Sequence, residues 1–485
     1  MAIDYDLVVI GSTTEGLYAA ATAAHLQARV ALVTQSETGY LDNHRIINHS
    51  ITEIGRWNYQ LSQNPFATQS EVLSTPISFS EAINWGKGVN SNLTAENSLI
   101  TLAALGVDVI LGKGEFVRLP KLALNIGKRK LRSRNYLLAI GSNFIVEPID
   151  GSSDINCLTV SDLWNLELSA LPEKLTIVGD NPISLELAQN LARFGKKITL
   201  VVKQRILFQE DLDIAMLIQA QLEVEGIEII TASQISQVKE IEHKKWLQAG
   251  DRAIETDEII FTSCRQPNIE GLNLAGVNVK YDFSRVQVNH KLQTTNRNIY
   301  ACGDLIGGYS LPNIAQYEVN LILKNTLFIP WYKADYSYIP WAVLTQPNLA
   351  RVGLTETQAK QQHGKDIYVV KQHFKCVAQA QILGATTGLC KLLVSKNGRI
   401  LGCSLVCDRS AELIGTIALL MKQKIRLDNN PMKGLTSIDF PYIHPSFAEI
   451  WQQVAANFYR QKLQRNPKLL NRLEMWFNLR RDWHK

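Results

Sequence analysis

Cysteine is absent from the N-terminal region of this chain: seven occur among 485 residues, and the first is Cys157. A thiolate is the nucleophile of disulfide exchange and of electron relay through a dithiol. That chemistry therefore has no group to run on before residue 157. Apolar runs of the ~20 residues that span a bilayer are also missing. The closest cysteine pair, Cys403 and Cys407, lies in the strand-like GRILGCSLVC. Four residues along a strand cover ~13 Å, beyond the ~7 Å Cα limit for a disulfide. The thiols read as reduced and mostly buried, as in a cytoplasmic protein. The opening MAIDYDLVVIG starts on a strand, which implies no signal peptide.

The composition that remains is that of a globular protein, 46% hydrophobic and 20% charged. On a prior of ~150 residues each, the length accommodates about three domains. The net charge of +5 is concentrated at one end. Residues 450–485 hold eight Lys/Arg against Glu474 and Asp482, a balance of +6, which leaves the remainder at −1. Bases and aromatics are not interleaved over a broad surface, so nucleic acid is not an expected partner.

Two stretches have the pattern strand, tight turn, helix, strand. The first is YDLVVIGSTTEG, the Ala-rich Leu17–Leu26 and Arg29–Val33; the second is LTIVGDNPISLELAQNLARFGKKITLVV from Lys174. Continuous apolar strands of this kind belong to parallel sheets buried on both faces, and the units are of dinucleotide-binding type. Residues 40–100 are polar and irregular, with helices expected near 52–62 and 80–105. In TTNRNIYACGDLIGG, Ile299–Ala301 reads as a buried strand that Gly303-Asp304 turns into a Gly-flanked loop. A glycine there lets backbone approach a ligand, and the carboxylate can accept from sugar hydroxyls.

These segments, in this order, closely resemble the pyridine nucleotide-disulfide oxidoreductases, the family of dihydrolipoamide dehydrogenase, glutathione reductase and mercuric reductase. TTNRNIYACGDLIGG resembles the second FAD motif, in which the residue matching Asp304 holds the ribityl chain. KLRSRNYLLAIG resembles the strand ending in Ala-Thr-Gly, with Ile140 for the Thr and Gly141 retained. IPWAVLTQPNLARVGLTETQAKQ and FPYIHPSFAEIWQQVA match the opening and close of the dimerisation domain. The resemblance implies an α/β fold: two Rossmann-like nucleotide-binding domains, FAD-type and an inserted NAD(P)-type, and a C-terminal α+β dimerisation domain. The implied boundaries are 1–152 with 285–335, 153–284, and 336–457; outside the resemblance, the residue pattern of 458–485 reads as a basic amphipathic helix. The resemblance also implies a homodimer.

The same alignment exposes departures. At the FAD loop, Gly11 and Gly16 hold the first and third glycine positions, but Thr13 occupies the second, where backbone would meet the diphosphate. Glu15 adds a carboxylate at the helix N-terminus, in competition with a diphosphate for the same positive end. Thr34 replaces the acid that binds the adenosine ribose. The family's Cys-x4-Cys positions fall on Asn43 and Asn48, or on Asp42 and Ile47 one register off. The lysine that follows them in the family has no counterpart before Lys87, the first of the chain. At the NAD(P) loop Gly179 survives while Asn181 and Ser184 replace the other glycines, with Asp180 alongside. Glu186 matches the family's acid. Val202 replaces the ribose-binding acid and precedes Lys203 and Arg205, which either form a basic surface turn or suit a 2′-phosphate, favouring NADPH over NADH. Cys264 replaces a further glycine. His444-Pro445 with Glu449 matches the family's His-Pro-x-x-x-Glu dyad, a carboxylate orienting an acid–base imidazole. His44 and His49 do not share a helix face and are not read as metal ligands.

Two functions fit this record. One is a flavoenzyme that passes electrons directly from NAD(P)H and FAD to a small acceptor, without a dithiol. The other is a non-catalytic dimer, a scaffold or regulator with worn nucleotide sites. Beyond the matched region, Leu469, Leu470, Leu473, Trp476 and Phe477 form one stripe of a basic helix. It could pack on the chain itself, lie on an anionic membrane, making the protein membrane-peripheral, or dock an acidic protein.

Overall fold

A computed structural model describes residues 3–35, 44–62, 77–95, 98–163, 171–231, 234–308, 310–427 and 441–483. Asp42 and Asn43 lie outside them. The chain divides into two compact units, Met1–Arg205 with Glu225–Asp335, and Ile206–Val224 with Tyr336–Lys485.

The first unit contains two parallel sheets. One has the order Ile299–Ala301, Ser133–Leu138, Tyr5–Ile10, Val30–Thr34, Asp108–Leu111. Alternate residues of the central strand enter opposite cores: Leu7 and Val9 join Ala19, Ala20 and Ala23 of helix α1 (Thr14–His25), and Val8 and Ile10 join Phe116 and Leu124. Burial on both faces explains the unbroken apolar run. The second sheet has the order Glu228–Ile230, Lys197–Val201, Lys174–Val178, Glu258–Phe261, Leu158–Thr159. Both sheets have the doubly wound plan, in which the loops at the carboxyl ends of the central strands converge.

The region expected to be irregular holds helix α2, His44–Ser62, which begins eight residues before the helix expected at 52. Ile47, Ile51 and Ile54 recur at i, i+4, i+7 and are buried, while Asn48 and Thr52 form a polar stripe beside them. The second helix of this region closes tightly on α2, because at Gly86 a Cβ would stand 3.1 Å from the Ile47 Cα. The expected helix at 52–62 lies within α2; the first turns of α2 are hidden in the sequence by a polar stripe that is itself buried. That stripe faces helix α3 (Pro182–Arg193): Asn190 Nδ2 donates to Asn48 Oδ1 at 3.1 Å and to Thr52 Oγ1 at 3.0 Å.

The second unit is built on an antiparallel sheet, Trp341–Val343, Asn348–Gly353, Ile400–Cys407, Leu389–Ser395, Ile367–His373. It includes helix α4 (Leu212–Val224), although that segment falls inside the expected 153–284 domain. Buried apolar residues of α4 (Ile214, Ala215, Ile218, Leu222) and ion pairs from its first turn and the turn before it accompany this placement. Arg351 Nε lies 2.8 Å from Glu210 Oε2, and the buried Lys391 Nζ lies 2.7 Å from Asp213 and 3.1 Å from Asp211. Helices α5 (Ser410–Lys422) and α6 (Glu449–Gln464) complete the core. The expected α6 face of Phe447, Ile450, Trp451 and Val454 is buried in it, and so are Phe458 and Tyr459, which the sequence reading had assigned to the tail. Asn466 then caps a separate helix, α7 (Pro467–Asp482), with Pro467 in its first turn.

Candidate functional site: two closed dinucleotide loops and a retained dyad

The strand ends of the first sheet bring Gly11, Gly16, Gly141, Gly303 and Asp304 to one place. Gly11 has φ +107°, and a Cβ there would overlap the Ala139 carbonyl; a Cβ at Gly16 would overlap Gly11 O. Both glycines are therefore required by packing alone. The position between them is what differs. Thr13 is the N-cap of α1: its Oγ1 accepts from the Gly16 N–H at 3.4 Å and donates to Ala139 O at 2.9 Å. Its methyl stands 3.3 Å from where a Cβ on Gly141 would be. Ser12 and Thr34 are buried and share a 2.7 Å hydroxyl–hydroxyl bond.

The second loop repeats this device with different residues. Asn181 caps α3: its Oδ1 accepts from the Ser184 N–H at 3.0 Å, and its Nδ2 donates to Thr262 O at 2.5 Å. The Ser184 hydroxyl lies 2.8 Å from Asn181 Oδ1 and 2.7 Å from Thr262 Oγ1. In each strand–turn–helix segment, the residue at the second glycine position thus caps the helix and bonds to the residue that follows the strand next to the central one, Ala139 after Ser133–Leu138 and Thr262 after Glu258–Phe261. The N-terminal N–H groups of a helix are the donors a diphosphate would use. Here a side chain of the protein already takes part of that role.

Electrostatics act in the same direction at the first loop. Glu15 folds over the start of α1, so that a Cβ on Gly303 would stand 2.8 Å from its Oε1. Burial, followed by the neighbouring Asp304 and Glu318, pushes the Glu15 carboxyl up to about 7. Glu318 Oε2 accepts from the Gly303 N–H at 2.7 Å. Asp304 is ion-paired with Arg265, Oδ2 to Nη1 2.8 Å, and the Arg265 guanidinium lies 4.2 Å over the Phe144 ring. The first loop does not fit the diphosphate of a flavin dinucleotide: the capping hydroxyl and the Glu15 carboxyl occupy the approach it would need.

A pH dependence follows. The Glu15 carboxyl holds its proton more tightly in the folded state than at its ordinary 4.5. Stability should therefore fall as pH rises from about 4.5 to about 7, and level off above. Glu15→Gln should remove that slope in urea unfolding measured across this range; an unchanged slope would place the proton elsewhere.

Other expected site residues are turned to different partners. Glu186 is 1% exposed; it accepts from Asn48 Nδ2 at 2.9 Å and lies 3.5 Å from Arg45 Nη2. It joins α3 to α2 at one of the two registers expected for the lost cysteines. Lys203 pairs with Glu147, and Arg205, half-buried, ends the first segment of unit 1. In the second unit, His444 Nδ1 lies 3.5 Å from Glu449 Oε2, with the imidazole 65% exposed. Gln453 Nε2 holds the other Glu449 oxygen at 2.8 Å. The imidazole and the carboxylate thus face each other, with no cysteine before Cys157 for them to serve. The sequence reading missed Arg265 and Glu318 as partners of the Gly303-Asp304 turn. Arg265 was visible in TSCRQPN, directly after Cys264, but nothing local indicated which carboxylate it would meet.

The comparisons with known proteins agree with this architecture. The family profile described as pyridine nucleotide-disulphide oxidoreductase matches residues 5–319, and its dimerisation domain matches residues 339–455. Mercuric reductase of Staphylococcus aureus is 27% identical over 449 residues, covering 91% of this chain and 80% of that protein. Dihydrolipoyl dehydrogenase of Bacillus subtilis (strain 168) is 28% identical over 452 residues, covering 91% and 96%. The solved Cu(II) complex of the HOCl-induced flavoprotein disulfide reductase RclA from Escherichia coli superposes with a TM-score of 0.80 at 26% identity, covering 94% of this chain and 99% of that one.

Proposed function

Because the chain belongs to the pyridine nucleotide-disulphide oxidoreductase family, whose members work with FAD and NAD(P)H, its departures carry the functional question, and we propose that it is a non-catalytic homodimer acting as a scaffold or regulator. The observation that carries this reading is the repeated cap. Thr13 and Asn181, unrelated in sequence, both replace the second glycine and both bond the helix start to the neighbouring strand end. Displacing such a cap costs about 1 kcal/mol. At the first loop a diphosphate would also face Glu15, Asp304 and Glu318. The third support is chemical: without a cysteine before Cys157 no dithiol relay can run.

A second reading keeps one specific support. The Gly303-Asp304 turn and the His444–Glu449 dyad survive, as a flavoenzyme passing electrons straight to a small acceptor would need. On that reading Lys203 and Arg205 favour NADPH. The absorbance spectrum of the purified protein separates the two. A colourless protein with no NAD(P)H-dependent turnover of lipoamide, glutathione disulfide or mercuric ion above free-flavin background is expected. Flavin bands near stoichiometry would overturn the scaffold reading, and turnover of any of the three substrates would overturn the loss of the relay. Among the described residues no helix is long and apolar enough to cross a membrane. The reading places the dimer in the cytoplasm, with the basic tail 458–485 as the surface through which it recruits a partner.

A further inference from the structure

Helix α7 leaves most of its apolar side exposed, with Leu469 and Leu473 half-buried. None of its residues is buried, and Trp476, Phe477 and the following Trp483 are 40%, 52% and 75% exposed. The helix forms on local signals: Asn466 Oδ1 accepts from the Leu469 N–H at 3.2 Å, and Pro467 sits in the first turn. At 3.6 residues per turn, Asn471, Glu474, Asn478 and Asp482 fall within one arc of about 80°. Leu469, Leu470, Leu473, Trp476 and Phe477 lie on the opposite side. The bases cluster toward the apolar side: Arg472 and Arg481 border the apolar arc and Arg480 falls inside it, while Lys468 lies nearer the acids.

That placement selects the occupant. Against a protein core or a second copy of the helix, Arg480 would be carried into an apolar contact, an expensive burial for an unpaired charge. On a lipid surface the same side chain lays its methylenes along the acyl boundary and reaches the headgroups with its guanidinium. Tryptophans belong at that depth; the Trp476 and Trp483 rings sit 6.3 Å apart on this helix. The surrounding tail carries +6 over residues 450–485, which complements an anionic and not a neutral surface. We propose that α7 seats the protein on anionic phospholipid bilayers, apolar arc inward and carboxylates toward water. This deepens the scaffold reading by naming its partner. Vesicle binding and cofactor content are measured separately, so either can fail alone.

The test is co-sedimentation of the full chain with vesicles of phosphatidylglycerol and phosphatidylcholine, beside pure phosphatidylcholine. Binding to the anionic vesicles should be about tenfold tighter or more, and should weaken as salt is raised. Arg480→Glu with Arg481→Glu should remove at least that preference, and Trp476→Ser with Phe477→Ser should weaken binding to both compositions. A chain ending at Asn466 should no longer sediment, yet remain a dimer by light scattering. Equal affinity for both compositions, or no sedimentation of the full chain, overturns the proposal. A monomeric truncated chain also overturns it, by assigning α7 to the second copy, and so does salt-independent binding.

Discussion

Replacement of Glu225 by alanine is expected to cost the first unit about 3–5 kcal/mol. Arg193 donates to Glu225 twice, Nε to Oε2 at 2.7 Å and Nη2 to Oε1 at 2.9 Å, and Gln189 Nε2 adds a third bond at 2.9 Å. The Arg193 and Glu225 side chains are 1% and 2% exposed. Arg193 also lies 4.9 Å over the Tyr59 ring of α2, so the guanidinium joins α3 to α2 as well. Forming such a pair stabilises little, because desolvation offsets most of the attraction. Breaking it is costly, since the guanidinium stays buried after losing its counter-charge. The double replacement Arg193→Met with Glu225→Leu should therefore recover most of the loss. The readout is the urea midpoint at constant m. A Glu225→Ala loss under about 1 kcal/mol would mean that water reaches the guanidinium.

The second large effect is a gain. Thr13→Gly with Glu15→Ala should raise the affinity for added FAD on the order of 100-fold or more over the unaltered protein. Glycine frees the Gly16 N–H and opens the approach to the backbone; alanine removes a carboxyl that stands against Gly303. Each change is worth about 1.5–3 kcal/mol, by analogy with gaining or losing one bond to a charged group. Thr13 and Glu15 are neighbours, so the two effects need not add. The fold should tolerate the pair, since glycine at an N-cap costs only a few tenths of a kcal/mol relative to threonine. Quenching of flavin fluorescence on titration gives the affinities. If the double variant binds no better, the loop is closed by something other than these two side chains. Asp304→Ala in that background should then reverse the gain, because it removes the remaining acceptor for the ribityl hydroxyls.

Much of this protein could be read along the chain. The two strand–turn–helix units and the dimerisation segment are local patterns of apolar runs, glycines and spacing, and each survived in the structure because both faces of each sheet are buried. The departures were equally legible: Thr13, Asn181 and Ser184 stand at glycine positions, Glu15 adds a carboxylate beside Gly16, and no cysteine precedes Cys157. What those side chains do was not legible. That Thr13 reaches Ala139, that Asn181 reaches Thr262, and that Arg265 meets Asp304 depend on partners 126, 81 and 39 residues away. Glu186 is the clearest case. By position it is a nucleotide-site acid, yet in the structure it is buried against Arg45 and Asn48 of a helix that the sequence reading did not begin until 52. The segment around α4 likewise belongs to the second unit, where Glu210 and Asp211 meet Arg351 and Lys391, partners that its place in the order of the chain did not show. Periodicity and turn chemistry are short-range and so appear in the sequence; the pairing of a buried charge or hydroxyl is chosen by whichever distant group the fold brings within 3 Å, and only the tertiary structure decides that.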